Sequence, residues 1–375
     1  MSLAKGYAAL SKDSPLAPFT FARRDLREND VSIEILYCGI CHSDMHTIHG
    51  EWDGTVYAEG TIYPCVPGHE IVGKVQSVGG GVSRFKAGDL VAVGTMVDSC
   101  KECSACMRGL EQHCQRGATW TYNAPDRITG ENTYGGYSNS IVVREEFVLA
   151  VKHAEKDLAA VAPLLCAGIT MWSPLRHWQA GPGKKVGIVG IGGLGHMGIK
   201  LAHALGAHVV AFTTSENKRQ DALDLGADEV VVSRNPSEMA AHTASFDLIV
   251  NSVAVKHDLD PFLSLLQLDG TMALVGIPAD SHPSPSVAGL IGLRRSLAGS
   301  LVGGIAETQE LLDFCAEHGV VAQIETTPVQ QIEKAFERMV RSDIKYRFVI
   351  DMQSIQEPRE TKSSALRETD TMVSA

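Results

Sequence analysis

The chain has 375 residues, of which 44% are hydrophobic and 21% charged, and its formal net charge is −11. Such a balance suits a soluble globular chain and argues against a dedicated nucleic-acid binder, whose phosphate contacts need a basic face. No run reaches the ~18 consecutive apolar residues of a membrane span, and Met1-Ser2-Leu3-Ala4-Lys5 lacks the apolar core of a secretion signal. A cytoplasmic protein of two domains is expected at about 150 residues per domain.

Up to residue 150 the chain reads as short alternating strands broken by turns such as Gly79-Gly80-Gly81, which predicts a mainly-β unit, a partly open barrel with two lobes. Cys38-Gly39-Ile40-Cys41-His42-Ser43-Asp44-Met45-His46 opens a dispersed set of metal-binding residue types. The set resumes at Pro67-Gly68-His69-Glu70 and ends at Pro163-Leu164-Leu165-Cys166. A Cys, a His and a Cys gathered by the fold would give three ligands and one open position, the layout of a catalytic zinc. Taken singly, each piece also reads as a buried thiol or a turn.

A second set is contiguous. Cys100, Cys103, Cys106 and Cys114 form the pattern C-x2-C-x2-C-x7-C. Four thiolates complete a tetrahedral zinc and leave no open position, so a zinc here would be structural. An iron–sulfur run of this kind has a last gap of x3 followed by Pro, and four exposed thiols would be reactive liabilities.

In the middle of the chain, Lys184 to Val189 reads as an apolar strand entering Gly190-Ile191-Gly192-Gly193-Leu194-Gly195. Ile199, Leu201, Ala202 and Leu205 then continue at helical spacing. Gly190, Gly192 and Gly195 thus form G-x-G-x-x-G between a strand and a helix, the dinucleotide fingerprint. The next strand, His208 to Phe212, ends in Thr213-Thr214-Ser215-Glu216-Asn217-Lys218-Arg219. An NAD site places a carboxylate at that strand end. Small hydroxyls followed by Lys218 and Arg219 suit the 2′-phosphate of NADP(H) instead, while Glu216 keeps NAD(H) open, and both cations also read as the start of a solvated helix. Further buried strands are expected at 229–232, 247–250 and 271–276, separated by amphipathic stretches such as Leu259 to Leu268, which implies a parallel sheet with helices on both faces. Residues 353–375 carry no hydrophobic period and read as a disordered tail.

These motifs, in their order and spacing, resemble the zinc-dependent medium-chain alcohol dehydrogenases, and within them the cinnamyl alcohol dehydrogenase-like branch, over residues 5 to 352. The resemblance implies an α/β plus mainly-β fold: a GroES-like catalytic domain (1–153 and 299–352) with an inserted Rossmann cofactor domain, a doubly wound parallel sheet (154–298). It implies Cys41, His69 and Cys166 as catalytic zinc ligands, with Glu70 as a carboxylate able to approach or ligate the metal. Asp44 then orients the histidine, Ser43 exchanges a proton with the substrate oxygen and His46 ends the relay. It implies cofactor contacts from His42, Thr170, the turn Gly190, Ile191, Gly192, Gly193, Leu194 and Gly195, the stretch Thr213, Thr214, Ser215 and Lys218, and Ser252, Gly276 and Ser300. Trp120 and Tyr122 fall where the family lines its substrate pocket.

The function so implied is reversible NADP(H)-linked reduction of aromatic or medium-chain aldehydes to primary alcohols by a homodimer with two Zn2+ per chain. No nucleic acid or membrane takes part. An NAD-linked polyol or secondary-alcohol dehydrogenase and a non-catalytic NADP(H)-binding protein remain the alternatives. A zinc-free quinone or enone reductase would lack the Cys41, His69 and Cys166 set. The nine cysteines divide into four structural ligands, two catalytic ligands and Cys38, Cys65 and Cys315, read as ordinary buried thiols.

Overall fold

A computed structural model describes residues 2–54 and 59–356; of the expected tail, positions 357–375 lie outside the described residues. Six parallel strands form one sheet in the spatial order Glu229–Val232, His208–Thr213, Lys185–Val189, Phe246–Asn251, Leu266–Leu274 and Ser296–Gly299. Numbered along the chain this order is 3-2-1-4-5-6, that of a dinucleotide-binding sheet, with its switch point between the strands Lys185–Val189 and Phe246–Asn251. Successive side chains of a strand face opposite sides, and both sides are buried. Val209 and Ala211 enter one core cluster, while Val210 and Phe212 enter another. Burial on both faces is why these strands read as unbroken apolar runs rather than alternating ones.

The stretch Leu259 to Leu268 divides differently from its expected reading. Only Asp260–Leu263 is helical, and the next strand starts at Leu266. Leu265 and Leu266 are fully buried, and the register with the neighbouring strand shifts after the Phe246–Leu266 pair. Asp269 takes φ +65 in that irregular segment. Leucine spacing alone could not separate a short helix from the start of a buried strand.

Among the described residues, four of the remaining strands form two two-stranded sheets, and seven build a mostly antiparallel sheet centred on Asp30–Gly39. It pairs with Ile71–Val78, Ser140–Arg144 and the late strand Arg347–Asp351. The late strand thus returns to the N-terminal sheet after the whole parallel sheet has been made. The turn Met352–Gln356 folds onto this unit: Ser354 Oγ accepts the Val329 N–H at 2.9 Å, and Ser354 is buried. Gln353 to Gln356 therefore belong to the folded domain rather than to a tail.

The four-cysteine segment forms a lobe with two short 3-10 turns, Cys106–Arg108 and Glu111–His113. Its Glu111 accepts the Ile305 N–H at 3.0 Å. That contact caps the helix Ile305–His318, whose own N-cap residue Gly304 has no side chain with which to do so. Among the described residues no single helix is long and apolar enough to cross a membrane.

Candidate active site and metal centres

Cys41 ends the strand region and caps the helix His42–Ile48, with Asp44 reaching back to the Cys41 N–H at 2.9 Å. This reciprocal cap holds Cys41 at the rim of the sheet. His69 and Glu70 lead into the strand Ile71–Val78, and Cys166 precedes the helix Ala167–His177. The fold brings the ligand atoms of Cys41, His69, Glu70 and Cys166 within 4.8 Å of one another, all four residues being buried. Two thiolates held tetrahedrally at ~2.3 Å from one zinc stand ~3.8 Å apart; Cys41 Sγ and Cys166 Sγ are separated by 3.8 Å. Glu70 Oε2 is buried with no hydrogen-bond partner, an acceptor waiting for a cation. The donor set fits zinc.

Electrostatics agree with that fit. The contact with Cys166 holds the Cys41 thiol well below its usual range, against its burial, and the same contact raises Cys166. Metal binding requires both sulfurs as thiolates and so displaces protons. Burial opposes charge on His69, but the Asp44 carboxylate and Cys41 outweigh it and raise its basicity. His69 Nδ1 lies 3.2 Å from Asp44 Oδ1, which leaves Nε2 for a metal.

The second set also assembles. Cys100, Cys103, Cys106 and Cys114 place their sulfurs within 4.8 Å of one another, with 3.8 Å between Cys100 and Cys106. The backbone N–H groups of Cys100, Cys103 and Gln115 donate to Cys114, Cys100 and Cys103 Sγ at 3.4 Å. Backbone N–H groups pull the Cys103 thiol down to about 6. Thiolates stabilised this way, with no open corner, fit a structural zinc.

At the switch point, Gly190 takes φ +93, and a Cβ on Gly195 would stand 1.8 Å from the Gly190 carbonyl oxygen. Only glycine permits this turn. A Cβ at Gly192 would meet nothing within 4 Å, so the backbone is open to a pyrophosphate. Gly192 and Gly193 line a cleft with His42, Lys218, Tyr346 and Arg347. Ile191 and Leu194 belong to the same turn, Ile191 buried and Leu194 half-buried.

Thr213 ends its strand and accepts the Ser215 N–H at 3.1 Å, while Thr214 is exposed. Lys218 Nζ donates to the Ile191 carbonyl at 3.1 Å and so reaches over the glycine turn. Arg219 is engaged elsewhere: it pairs with Glu216 at 2.6 Å and Glu238 at 3.2 Å. The Ser252 hydroxyl donates to the Val189 carbonyl at 2.8 Å. A Cβ at Gly276 would touch the Val253 backbone at 2.8 Å, and the Ser300 N–H bonds the Leu274 carbonyl at 3.1 Å. Thr170 is buried one turn into the helix after Cys166.

Ser43 and His46 stand one turn apart on the helix His42–Ile48. His46 Nδ1 meets Glu51 at 2.5 Å and stacks on Trp52 at 5.1 Å. Tyr122 is buried with its ring 5.8 Å from that of His69, and Trp120 is half-buried in the strand Thr119–Trp120. Cys38, Cys65 and Cys315 are buried free thiols; burial raises all three, Cys315 to about 12.

Three further residues join the site. Arg347 forms a buried ion pair with Glu70, Tyr137 bonds Asp44 at 3.1 Å, and Glu51 bonds His46. An arginine inside the apolar run Tyr346-Arg347-Phe348-Val349-Ile350 is a signal that a buried partner must exist. Tyr137 carries no such signal.

A parallel dinucleotide sheet facing a buried Cys–His–Cys–Glu cluster, with a separate four-cysteine lobe, defines a zinc-type, nucleotide-linked dehydrogenase. Two family models match: the alcohol dehydrogenase GroES-like domain over residues 27–153 and the zinc-binding dehydrogenase domain over residues 193–317. The chain is 62% identical over 351 residues to aldehyde reductase YahK of Escherichia coli (strain K12), covering 94% of this chain and 99% of that protein. Cinnamyl alcohol dehydrogenase SbCAD4 of Sorghum bicolor superimposes with a TM-score of 0.89 at 41% identity, over 95% of this chain and 100% of that one. The cinnamyl alcohol dehydrogenase of Helicobacter pylori complexed with NADP(H) gives 0.85 at 42% identity, over 94% and 98%. The chain belongs to the zinc-dependent alcohol dehydrogenase family.

Proposed function

We propose that this protein is a zinc-dependent, NADP(H)-linked aldehyde reductase that interconverts aldehydes and primary alcohols. The observation that carries the reading is the buried Cys41, His69, Glu70 and Cys166 cluster beside the open glycine turn. When bound, zinc supplies Lewis-acid polarisation of a carbonyl and NADP(H) the hydride. Cys41, His69 and Cys166 hold the metal, and Glu70 is a nearby fourth donor. Ser43 passes a proton to or from the substrate oxygen, and His46, tied to Glu51, takes it onward; an imidazole suits that transfer at neutral pH. Gly190 to Gly195 cradle the pyrophosphate, with His42 and Arg347 at the cleft wall. Lys218, with the hydroxyls of Thr213, Thr214 and Ser215, reads the 2′-phosphate. Arg219 contributes by neutralising Glu216, the carboxylate that would otherwise repel that phosphate. Thr170, Ser252, Gly276 and Ser300 shape the remaining cofactor groove.

Trp120 and Tyr122 favour apolar aldehydes, aromatic or of medium chain length. The working unit is a homodimer joined at the strand Ser296–Gly299, which ends its sheet. Nearby Val287 and Ile291 leave 67% and 74% of their surface exposed, and an open edge beside exposed apolar residues favours pairing with a second copy. We assign residues 1–153 and 299–352, extended by the docked turn to Gln356, to the catalytic domain and 154–298 to the cofactor domain. Nine cysteines, none of them in a disulfide among the described residues, suit the reducing cytoplasm. The test is an aldehyde panel assayed with NADPH and with NADH: turnover is expected with apolar aldehydes and NADPH. A preference for polyols with NAD+ would replace this reading.

A further inference from the structure

Asp44 is wholly buried, and four donors meet its two oxygens. Oδ1 accepts the Gly68 N–H at 3.1 Å and faces His69 Nδ1 at 3.2 Å. Oδ2 accepts the Cys41 N–H at 2.9 Å and the Tyr137 O–H at 3.1 Å. Three donors come from the two turns that bear metal ligands. The fourth comes from Tyr137, 93 positions further along the chain.

The terminal torsions of Asp and His side chains are soft and broad. The plane of the Asp44 carboxylate, and with it the plane of the His69 ring, is therefore set by hydrogen bonds rather than by rotamer. With Tyr137 removed, Oδ2 keeps one donor in a dry pocket, and the carboxylate can tilt away from Nδ1. Tyr137 is itself held rigidly. Its N–H donates to the Pro67 carbonyl at 2.9 Å, its carbonyl accepts the Tyr7 N–H at 2.9 Å, and it has no solvent exposure. Its ring lies so close to Gly68 (φ +101) that a Cβ there would stand 2.6 Å from Tyr137 Cδ1.

We propose that Tyr137 is a positioning residue for the catalytic metal: its phenol locks Asp44, which fixes the tautomer and plane of His69. This rests on the reading of Cys41, His69 and Cys166 as a zinc site. Outer partners of a metal-bound histidine commonly change affinity by about 10–100-fold when lost, and the four-cysteine lobe is an internal control in the same chain.

The experiment follows zinc release from the holoprotein into a chromogenic chelator. Tyr137→Phe keeps the ring on Gly68 and removes only the hydroxyl. The expected result is release of one zinc about tenfold or more faster, with the other unchanged and the thermal midpoint close to native. In the cobalt(II)-substituted protein the visible bands of that site should shift. Asp44→Asn should also speed release, and adding Tyr137→Phe to it should change nothing further, because both act through one carboxylate. Unchanged release in Tyr137→Phe, or effects that simply add, would overturn the inference while leaving the zinc reading intact. A native protein with fewer than two zinc ions per chain would overturn the zinc reading and this inference with it.

Discussion

Arg347 and Glu70 stand 277 positions apart in the chain, yet their side chains meet in an ion pair with 3% and 0% exposure. Burial raises the Glu70 carboxyl despite this partner, and Glu70 with the thiols of Cys41 and Cys166 raises Arg347 against the cost of its own burial. The pair ties the returning strand Arg347–Asp351 to the metal site, and Arg347 also faces the glycine turn: a Cβ on Gly193 would meet its Nη1 at 3.0 Å. Removing one member of a buried pair strands the other. Arg347→Ala is therefore expected to cost about 3–5 kcal/mol of stability in chemical denaturation. Adding Glu70→Gln should recover part of the loss, and equal stability of the single and double variants would refute the coupling.

The native protein should hold two zinc ions per chain by metal analysis. Cys166→Ala should keep one, fold, and lose nearly all turnover. Cys103→Ala should lose the other and melt at lower temperature, because that lobe caps the helix Ile305–His318. Zinc added to metal-free protein should release protons, since the metal takes cysteine as thiolate.

Cofactor choice divides between neighbours. Lys218→Ala should raise the NADPH KM about tenfold, the size of one charge-assisted contact at ~1.4 kcal/mol, with little change for NADH. Arg219→Ala should act by freeing Glu216, weakening NADPH binding less than Lys218→Ala does. Equal losses for both cofactors in Lys218→Ala would remove it from phosphate reading.

His196 is wholly buried and stacks on Tyr346 at 4.9 Å. Burial lowers its pKa from 6.5 to about 3. Between those values the unfolded chain binds a proton that the folded one does not, so stability rises with pH there. The contribution is complete above pH 6.5 and declines on acidification towards pH 3. His196→Phe, which keeps the stacking ring, should flatten the fall in urea midpoint between pH 6.5 and 5. An unchanged slope would place the acid sensitivity elsewhere.

Glu111→Ala removes the cap that the cysteine lobe provides to the helix Ile305–His318. A loss of about 1 kcal/mol is expected, as for other lost N-caps, together with faster amide exchange at Ile305. Exchange identical to native would show that the contact does not hold the helix end.

What could be read from the chain follows the distance over which each feature is encoded. Cys100 to Cys114 and Gly190 to Gly195 are local, so spacing within one turn already carried their geometry. The parallel sheet was equally legible, because burial on both faces writes continuous apolar strands. The start of the strand at Leu266 was not, since buried helix and strand share leucines. Lys218 and Arg219 read alike in the sequence, and only the structure shows Lys218 reaching over the glycine turn while Arg219 pairs with Glu216 and Glu238.

By itself, the sequence determined the kind of chemistry present: thiolate and imidazole residue types at metal-ligand spacing and a dinucleotide turn, with Ser43 and His46 singled out through the family resemblance. The tertiary structure decided which of those groups meet and what holds them. Tyr137 under Asp44, Arg347 on Glu70 and Glu111 at Ile305 are contacts between segments far apart in the chain. They come from strand pairing and loop docking, and no local pattern records them, because a side chain's partner there is chosen by the fold rather than by its neighbours in sequence.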